Sequence, residues 1–395
     1  MENTENTENT ENTEVPTPKG HKLEDIVNDL KNNESDFYFF CLDTKGNPTA
    51  GVANIYEHVK VLTELGYKAH IIHEHDDYKL KTGEDGSMGL ADWLGVEYAE
   101  LSHISIQSQK LSIKPSDFIL IPEIFGNIMD QVKQFPCKKI VFSQSPSYLL
   151  ELLPLGKRWN SEFGFNDAIT TSERQAEYLK SLFPSLNTQV VPVSIPEYFK
   201  PSDKPKKPVV TILCRNNGQA AKIAKAFYLQ YPVYKWITFR EMRGLSRRAF
   251  ADELATSFLS VWIDDTAGFG TFPLEAFESN TPVIGKMPEF IPEWMETKDE
   301  NNEPTIKNNG IWTNTQHAIP EIIAKYLKLW LEDNVPTDIL KTMEESKGQY
   351  TSEAQKVKIE EVYGKLVENR VEEIEALLEN NKKQVTATVV EATND

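Results

Sequence analysis

The chain has 395 residues, with 60 acidic and 42 basic side chains and a net charge of -18. At about 150 residues per domain, this length predicts two domains, each large enough to bury an apolar core. A chain this acidic is not expected to be a general DNA or RNA binder, because nucleic-acid phosphates are held largely by cationic side chains. The composition, 39% hydrophobic and 26% charged, is typical of a globular protein.

The cysteines and the hydropathy of the chain indicate the cellular compartment in which the protein is expected. The three cysteines, Cys41, Cys137 and Cys214, lie far apart in the sequence. This spacing indicates neither a disulfide framework nor a thiolate zinc site, and we expect a reducing cytoplasm. The apolar run Phe118–Phe125 is interrupted by a proline and a glutamate, and no run approaches the roughly 18 residues of a membrane-spanning helix. We therefore expect at most a peripheral membrane contact.

The chain divides into segments of different composition. It opens with the acidic tripeptide ENT repeated four times, and we predict a disordered tail over residues 1–19. Residues 201–208, PSDKPKKP, combine three prolines with four charged residues, as is typical of a linker. The predicted segments are the tail at 1–19, a first domain at 20–200, the linker at 201–208, a second domain at 209–345, crossing helices at 346–385 and a flexible tail at 386–395.

The first domain begins with a βαβ pattern. The buried run Asp36–Cys41 predicts a strand, and apolar residues from Val52 to Leu65 then recur at three- and four-residue spacing. Gly66 is placed to end that helix before the apolar run Ala69–Ile72. Strands that alternate with helices indicate a parallel sheet covered on both faces. Further strands are predicted at Phe118–Ile121, Lys139–Phe142, Ala168–Thr171 and Gln189–Val191.

The alternation restarts after the linker, which predicts a second α/β domain of the same kind. A final amphipathic helix is opened by Ser352 and Gln355 as a capping box, and its apolar stripe needs a surface to cover. The predicted elements are strands Val209–Leu213, Trp236–Phe239, Leu259–Ile263 and Pro282–Ile284, and helices near Ala220–Leu229, over Ser246–Phe258 and from Pro273.

The segment Asp264–Gly285 carries the most specific chemistry. It follows the strand that ends at Ile263, contains two glycines, and places Pro273 as the first residue of a helix. Glycines allow a phosphate to approach the backbone, and the amides and dipole at a helix N-terminus favour an anion. Two glycines are also common in plain tight turns, so residue pattern alone leaves both interpretations open.

This segment resembles the donor-binding loop of the family 4 retaining glycosyltransferases of GT-B fold. The matching residues are the GFG sequence Gly268–Gly270, Pro273, the pair Glu275–Ala276 and the run Thr281–Val283. Similar stretches extend over about Asp36–Leu378. The resemblance implies two Rossmann-like, doubly wound α/β domains that face a cleft, with a C-terminal helix that crosses back to the first domain.

The resemblance also implies a reaction and its residues. A sugar would move from a nucleotide-diphosphate sugar to a glycan, glycolipid or other hydroxyl acceptor, with retained configuration and without a metal or other cofactor. Arg215 would grip the donor phosphates and Glu275 the ribose hydroxyls, and we treat both as catalytic. Other expected donor-binding residues are Gly268, Phe269, Gly270, Thr271, Gln219, Asp265 and Arg240, and the expected acceptor or cleft residues are Gly51, His73, Glu123 and Ser143.

Several of these assignments have plainer alternatives. Arg215 can be a surface residue at a strand end, and Glu275 can simply complement the helix dipole. Arg240 and Arg243 can be solvated loop residues. The sequence HEHDD, which begins at His73, has a metal-like appearance, but no further histidine or cysteine lies at a useful spacing, so it more simply lines the cleft.

Two departures from the family pattern bear on activity. Ala267 stands where the family has its first glutamate, with Asp265 as the alternative acid, and Gln219 stands where the family usually has a lysine. They motivate one alternative, a non-catalytic GT-B protein that binds a nucleotide sugar or glycan. A less favoured alternative is a transferase that glycosylates DNA bases, against which the net charge of -18 counts.

Overall fold

A computed structural model describes residues 22–42, 49–126 and 128–392, with side chains described up to residue 383. The predicted tail at residues 1–19 lies outside this part. The first domain contains a seven-stranded sheet of parallel strands with helices between them. Its elements are α1 (Leu23–Lys31), β1 (Asp36–Phe40), α2 (Ala50–Glu64), β2 (Lys68–His73), α3 (Leu90–Trp93), α4 (Val96–Ala99), β3 (Ser102–Ser105), β4 (Phe118–Pro122), α5 (Met129–Val132), β5 (Lys138–Ser143), α6 (Pro146–Leu152), α7 (Trp159–Phe163), β6 (Asp167–Thr170), α8 (Glu173–Leu182) and β7 (Asn187–Val190).

The strand order in this sheet is β3-β2-β1-β4-β5-β6-β7. Alternate side chains of β1 point to opposite faces, as the two-residue period of a strand requires. Phe37 and Phe39 enter one apolar core, with residues of α1 and α2, while Tyr38 and Phe40 enter a second core, with residues of α5 and α7. The sheet is therefore buried on both faces, and the predicted doubly wound architecture is confirmed.

The second domain repeats this plan with a five-stranded parallel sheet in the order β14-β11-β10-β8-β9 and a separate antiparallel pair, β12 and β13. Its elements, with the final helix, are β8 (Lys207–Cys214), α9 (Gln219–Gln230), β9 (Thr238–Glu241), α10 (Arg247–Thr256), β10 (Ser257–Ile263), α11 (Thr271–Glu278), β11 (Val283–Lys286), β12 (Glu296–Lys298), β13 (Pro304–Ile306), β14 (Ile311–Thr313), α12 (Ile319–Leu331), α13 (Thr337–Glu345) and α14 (Ser352–Ala392).

Strand β10 lies at the centre of this sheet. Leu259, Val261 and Ile263 pack with α9 and α12 on one face, and Trp262 packs with α10 and α11 on the other. The structure differs from the predictions at element ends: β8 begins at Lys207, inside the predicted linker, and β9 is displaced toward the C-terminus by two residues. The short strands β3, β12, β13 and β14 have no apolar run long enough to mark them in the sequence.

The last helix, α14, crosses back onto the first domain as predicted. Its apolar stripe packs against α1 and α2. Thr351, rather than Ser352, caps its start by accepting a hydrogen bond from the amide of Ala354 (3.1 Å). The helix runs to Ala392, past residue 386, where the flexible tail was predicted to begin. The stripe residues that are almost fully buried are Ile359, Val362, Tyr363, Leu366 and Ile374.

Over the described ranges, every helix is either too short or too polar to cross a bilayer.

Candidate functional site

The two domains meet where β5 and β10 end. The hydroxyl of Ser145, just after β5, donates to the carbonyl of Thr266, just after β10 (2.9 Å). A Cβ atom placed on Gly268 would overlap the carbonyl of Gln144. The glycine therefore allows the backbones of the two domains to touch at this point.

Gly270 is required for a different reason. Its φ is +72°, in the left-handed region that favours glycine, and a Cβ atom would lie 2.9 Å from the ring of Trp262. The neighbouring Phe269 is buried, with its carbonyl accepting from the indole nitrogen of Trp294 (2.7 Å). Phe269 therefore anchors the loop in the second-domain core, and its side chain is not exposed to the cleft.

The loop leads directly into α11 with its amides open. Gly270 is the N-cap and offers no side chain, and Pro273 is the third helical residue rather than the first. The five consecutive amides of residues 268–272 donate to no acceptor within the described ranges. Such a row of donors at a helix N-terminus can hold an anion.

Arg215 follows β8 at the same edge of the second sheet. Its guanidinium lies 5.1 Å from the ring centre of Tyr148, which belongs to α6 of the first domain. Arg243 supports this position, because its Nη2 donates to the carbonyls of Cys214 (2.5 Å) and Arg215 (2.9 Å). Arg240 instead faces Glu253, 3.9 Å away, so Arg243 is the arginine that lies beside Arg215.

Other predicted donor residues have partners of their own. Gln219 begins α9, and its Nε2 donates to Oε1 of Gln316 (2.6 Å). Asp265 forms an ion pair with Lys286, at the end of β11 (2.7 Å). Ala267 is 7% exposed and packs in the apolar cluster of α10 and α11. None of these three contacts was predicted from the sequence.

Glu275 lies on α11 and is 2% exposed. Its Oε1 accepts a hydrogen bond from Nη2 of Arg247, the first residue of α10, at 2.8 Å. Its Oε2 has no hydrogen-bond partner among the described residues. The carboxylate is therefore paired through one oxygen and unpaired at the other. Sequence reasoning missed Arg247, which no motif marks.

Glu123 supports the domain contact from the first domain. It follows β4 and is buried, and its Oε1 accepts from the amides of Gln144 (3.0 Å) and Ser145 (2.7 Å). Burial raises the pKa of this carboxyl to about 7, although the two amides oppose the shift. Its Oε2 has no partner in the described chain. Glu123 thus holds the loop after β5, and the adjacent Ser143 is buried at the end of the strand.

Gln144 is the centre of a polar network that the sequence did not reveal. Its Nε2 donates to the carbonyl of Gly51 (3.1 Å), and its Oε1 accepts from Asn54 (3.0 Å). Asn54 in turn accepts from Gln355 of α14 (3.0 Å), which replaces the capping box expected for that glutamine. The backbone carbonyl of Gln144 accepts from Gln175 of α8 (3.3 Å). The network joins α2, α8 and α14 beneath the contact with Gly268.

His73 belongs to a separate aromatic stack at the end of β2. Its ring lies 3.9 Å from the ring of Tyr78 and its Nε2 is 3.0 Å from Nδ1 of His103. Burial lowers the pKa of His103 to about 4, with a further contribution from His73. The described residues contain no cluster of three or more His, Cys, Asp or Glu side chains that could hold a metal.

The structure thus brings some of the predicted site residues together and places others elsewhere. Gly51, Glu123 and Ser143 surround the loop that touches Gly268, and Arg215 faces the same domain through Tyr148. Arg240 and His73 have their contacts elsewhere. The missed residues are Gln144 and Arg247. Gln144 follows a predicted strand end and could have been suspected from that position.

No family model and no curated protein matches this sequence. Several solved structures are similar to this protein. HepE (Alr3699) of Anabaena, in complex with UDP and glucose, is 12% identical over 84% of this chain and 100% of its own, with a TM-score of 0.58. The pneumococcal O-GlcNAc transferase GtfA, in complex with UDP and GlcNAc, is 10% identical over 85% and 99%, with a TM-score of 0.56.

The sucrose-phosphate synthase of Thermosynechococcus elongatus is similar to the same extent. It is 12% identical over 84% of this chain and 99% of its own, with a TM-score of 0.53. Each likeness covers nearly the whole of the solved chain, and hence both domains, although the low identity limits it to architecture. This protein therefore has the fold of the GT-B glycosyltransferases.

Proposed function

We propose that this protein is a glycosyltransferase that moves a hexose from a nucleotide-diphosphate sugar to a hydroxyl group of a glycan or lipid-linked acceptor. The observation that carries the proposal is the row of amides at residues 268–272 that have no acceptor among the described residues, at the carboxyl edge of a parallel sheet. An anion bound there would complete the hydrogen bonding of the loop. UDP is the proposed carrier because HepE and GtfA hold UDP.

The proposed chemistry is mainly electrostatic. Negative charge accumulates on the diphosphate as the bond to the sugar breaks, and amides, the α11 dipole and Arg215 would stabilise it. Arginine suits this role because it can grip phosphate through two hydrogen bonds. Glu275 would accept from the ribose hydroxyls. We propose that the reaction needs no metal and retains anomeric configuration, which turnover in EDTA and NMR of the product will test.

A thermal-shift series with UDP, GDP, ADP, CMP and dTDP tests donor binding. A ligand at about 100 times its dissociation constant stabilises the folded protein by roughly 2.7 kcal/mol. We expect UDP to raise the melting temperature most, and we expect Arg215→Gln to reduce that rise. Arg240→Gln is the matched control, because Arg240 pairs with Glu253 instead. The proposal fails if no nucleotide stabilises the wild-type protein.

The alternative of a non-catalytic nucleotide-sugar binder is favoured by one observation. The position of the family's first glutamate is Ala267, which lies in an apolar cluster. Under this alternative UDP would bind and Arg215→Gln would weaken binding, but UDP-glucose and UDP-GlcNAc would not be consumed. Turnover above the Arg215→Gln background decides for the transferase.

We further propose that the protein acts in the cytoplasm. The support is that Cys137 and Cys214 are buried and form no disulfide within the described ranges, as expected under reducing conditions. Fractionation of cells that express the chain, with a membrane wash at high salt, tests this together with the proposed peripheral membrane contact. Recovery in a sealed oxidising compartment would contradict it.

A further inference from the structure

The pair formed by Arg247 and Glu275 lies at the cleft edge of the second domain. Arg247 begins α10 and Glu275 lies in the second turn of α11, so both follow strands of the parallel sheet at its carboxyl edge. Their side chains are mostly buried, and Nη2 of Arg247 is 2.8 Å from Oε1 of Glu275. A buried carboxylate is costly without such a partner.

Arg247 has little freedom to move. Its guanidinium lies 4.8 Å from the ring centre of Phe199 and 5.6 Å from that of Phe250. Ser246 fixes the start of the helix by accepting from the amide of Ala249 (3.2 Å). Because Arg247 is packed between two rings, the position of Oε1 on Glu275 is fixed as well.

The pairing uses only one carboxylate oxygen. Oε2 of Glu275 has no hydrogen-bond partner among the side chains and backbone that the structure describes, and it keeps a small accessible area although the side chain is only 2% exposed. An ionised carboxylate can accept several hydrogen bonds, and hydrogen bonds to charged groups are stronger than neutral ones. The pair therefore presents one oriented acceptor oxygen at the cleft.

We propose that Arg247 is a positioning residue for the nucleotide ribose: it holds Oε1 of Glu275 so that Oε2 is aimed at a ribose hydroxyl. This inference rests on the proposed function, because it requires a nucleotide in the cleft. It adds a role for a residue that does not itself touch the donor. The arginine keeps the carboxylate oriented before the nucleotide arrives, so that binding does not have to reorder it.

Calorimetry with UDP and 2′,3′-dideoxyuridine 5′-diphosphate tests this role. Wild-type protein is expected to bind UDP about tenfold more tightly than the dideoxy compound, since the latter cannot donate to Oε2. R247M is expected to reduce this ratio to about one, and R247K to restore part of it. With UDP-sugar as substrate, R247M should raise KM more than it lowers kcat.

R248M is the matched control. Arg248 is the next residue, and its guanidinium lies over the ring of Tyr198 (5.3 Å) rather than at Glu275. It should keep the wild-type ratio. Because R247M leaves Glu275 buried and unpaired, it can fail to fold; the double variant R247M/E275Q removes that charge and is also expected to give a ratio near one.

The outcomes separate this inference from the proposed function. If R247M or the double variant keeps the wild-type ratio, or if wild-type protein binds UDP and the dideoxy compound equally, the positioning role is overturned while UDP binding still supports a transferase. If wild-type protein binds no UDP, the proposed donor is wrong and the positioning role falls with it.

Discussion

Helix α2 of the first domain and helix α11 of the second domain begin in different ways. In the first domain, Thr49 caps α2 by accepting from the amide of Val52 (3.4 Å), and the carbonyl of Gly51 accepts from Gln144. In the second domain, α11 begins at Gly270 with no side-chain cap and with the amides before it open. The first domain therefore caps its helix start with a threonine side chain, whereas α11 has no side-chain cap.

Buried titratable groups differ between the domains in the same way. In the second domain, Arg247 and Glu275 neutralise each other. In the first, His58 and Glu123 are buried without a charged partner. Burial lowers the pKa of His58 to about 3 and raises that of Glu123 to about 7. These two shifts act on the free energy of unfolding in opposite directions as the pH falls, so each has to be tested with its own variant.

The largest expected effect comes from truncation after Gly348, which removes α14. This helix buries five large apolar side chains against the first domain, each contributing about 1.5–3 kcal/mol. The sum is comparable to the whole stability of a typical domain, so the first domain should not fold. Truncation after Asn380 is the control and should leave the melting temperature almost unchanged. A soluble protein with a wild-type melting temperature after the first truncation would contradict the packing of α14.

Ala267→Glu tests the second-domain loop. The new carboxylate would enter an apolar cluster, where an unpaired charge costs several kcal/mol. We expect a large loss of stability in urea at pH 8, a smaller loss at pH 5, where the carboxyl can protonate, and a pH-independent loss for the control Ala267→Gln. Gain of turnover would instead indicate a decayed transferase. Unchanged stability, donor affinity and turnover would mean that this position faces neither the core nor the sugar.

Helix α14 and the candidate site show which features of the molecule the sequence could and could not predict. The stripe of α14 was readable because helical spacing is local, and the alternation of strands and helices was readable for the same reason. The pair Arg247–Glu275 was not, because residues 28 positions apart meet only when α10 and α11 pack side by side. Gln144 was missed since its partners come from α2, from α8 and from Glu123 after β4. The residue pattern predicts the helices and strands, whereas the candidate site depends on contacts between residues that are far apart in the sequence.

Acid should destabilise the first domain through His58. Its Nδ1 is 2.9 Å from the hydroxyl of Tyr363 in α14, and its folded-state pKa of about 3 lies below the unfolded value of about 6.5. Its contribution is complete above pH 6.5 and is lost as pH falls toward 3, by about 1.4 kcal/mol for each pH unit. At pH 4.5 the contribution of His58 taken alone should have fallen by about 3 kcal/mol.

Denaturant unfolding of wild-type and His58→Leu protein between pH 7 and pH 4.5 measures this slope. The variant should be less stable at pH 7 but should lose less on acidification. Glu123→Gln is the opposite case, because a folded-state pKa of about 7 means that the stabilising contribution of Glu123 is present at low pH and is lost as pH rises through 7. Parallel curves for wild type and His58→Leu would refute the histidine assignment.

Gly268→Ala should act on the contact between the domains. The added Cβ would overlap the carbonyl of Gln144, so the loops must separate, at a cost of about 1–3 kcal/mol. We expect a larger radius of gyration in X-ray scattering and lower turnover. Gly364→Ala is the control, since that position has no neighbour within 4 Å. An unchanged radius and unchanged turnover would show that the closed contact does not persist in solution.

The smallest effect is expected from Tyr148→Leu, which asks whether the first domain contributes to the donor site. Tyr148 holds Arg215 by a cation–π contact, worth about 0.5–1 kcal/mol at an exposed site. Its loss should loosen the closed form slightly, while UDP affinity stays equal or rises because Arg215 is released. Tyr178→Leu is the matched control: Tyr178 packs on Phe290 across the same domain boundary (6.0 Å) without touching Arg215.

The comparison of the two variants by calorimetry with UDP separates closure from binding. If both lower UDP affinity equally, the effect belongs to domain closure, and the open amides of the second domain bind the donor without direct help from Tyr148. If Tyr148→Leu alone lowers UDP affinity, its ring contacts the nucleotide or orients Arg215 for it. The first domain would then be part of the donor site. Helix α6, which carries Tyr148, would have to be counted with the donor-binding elements of the second domain.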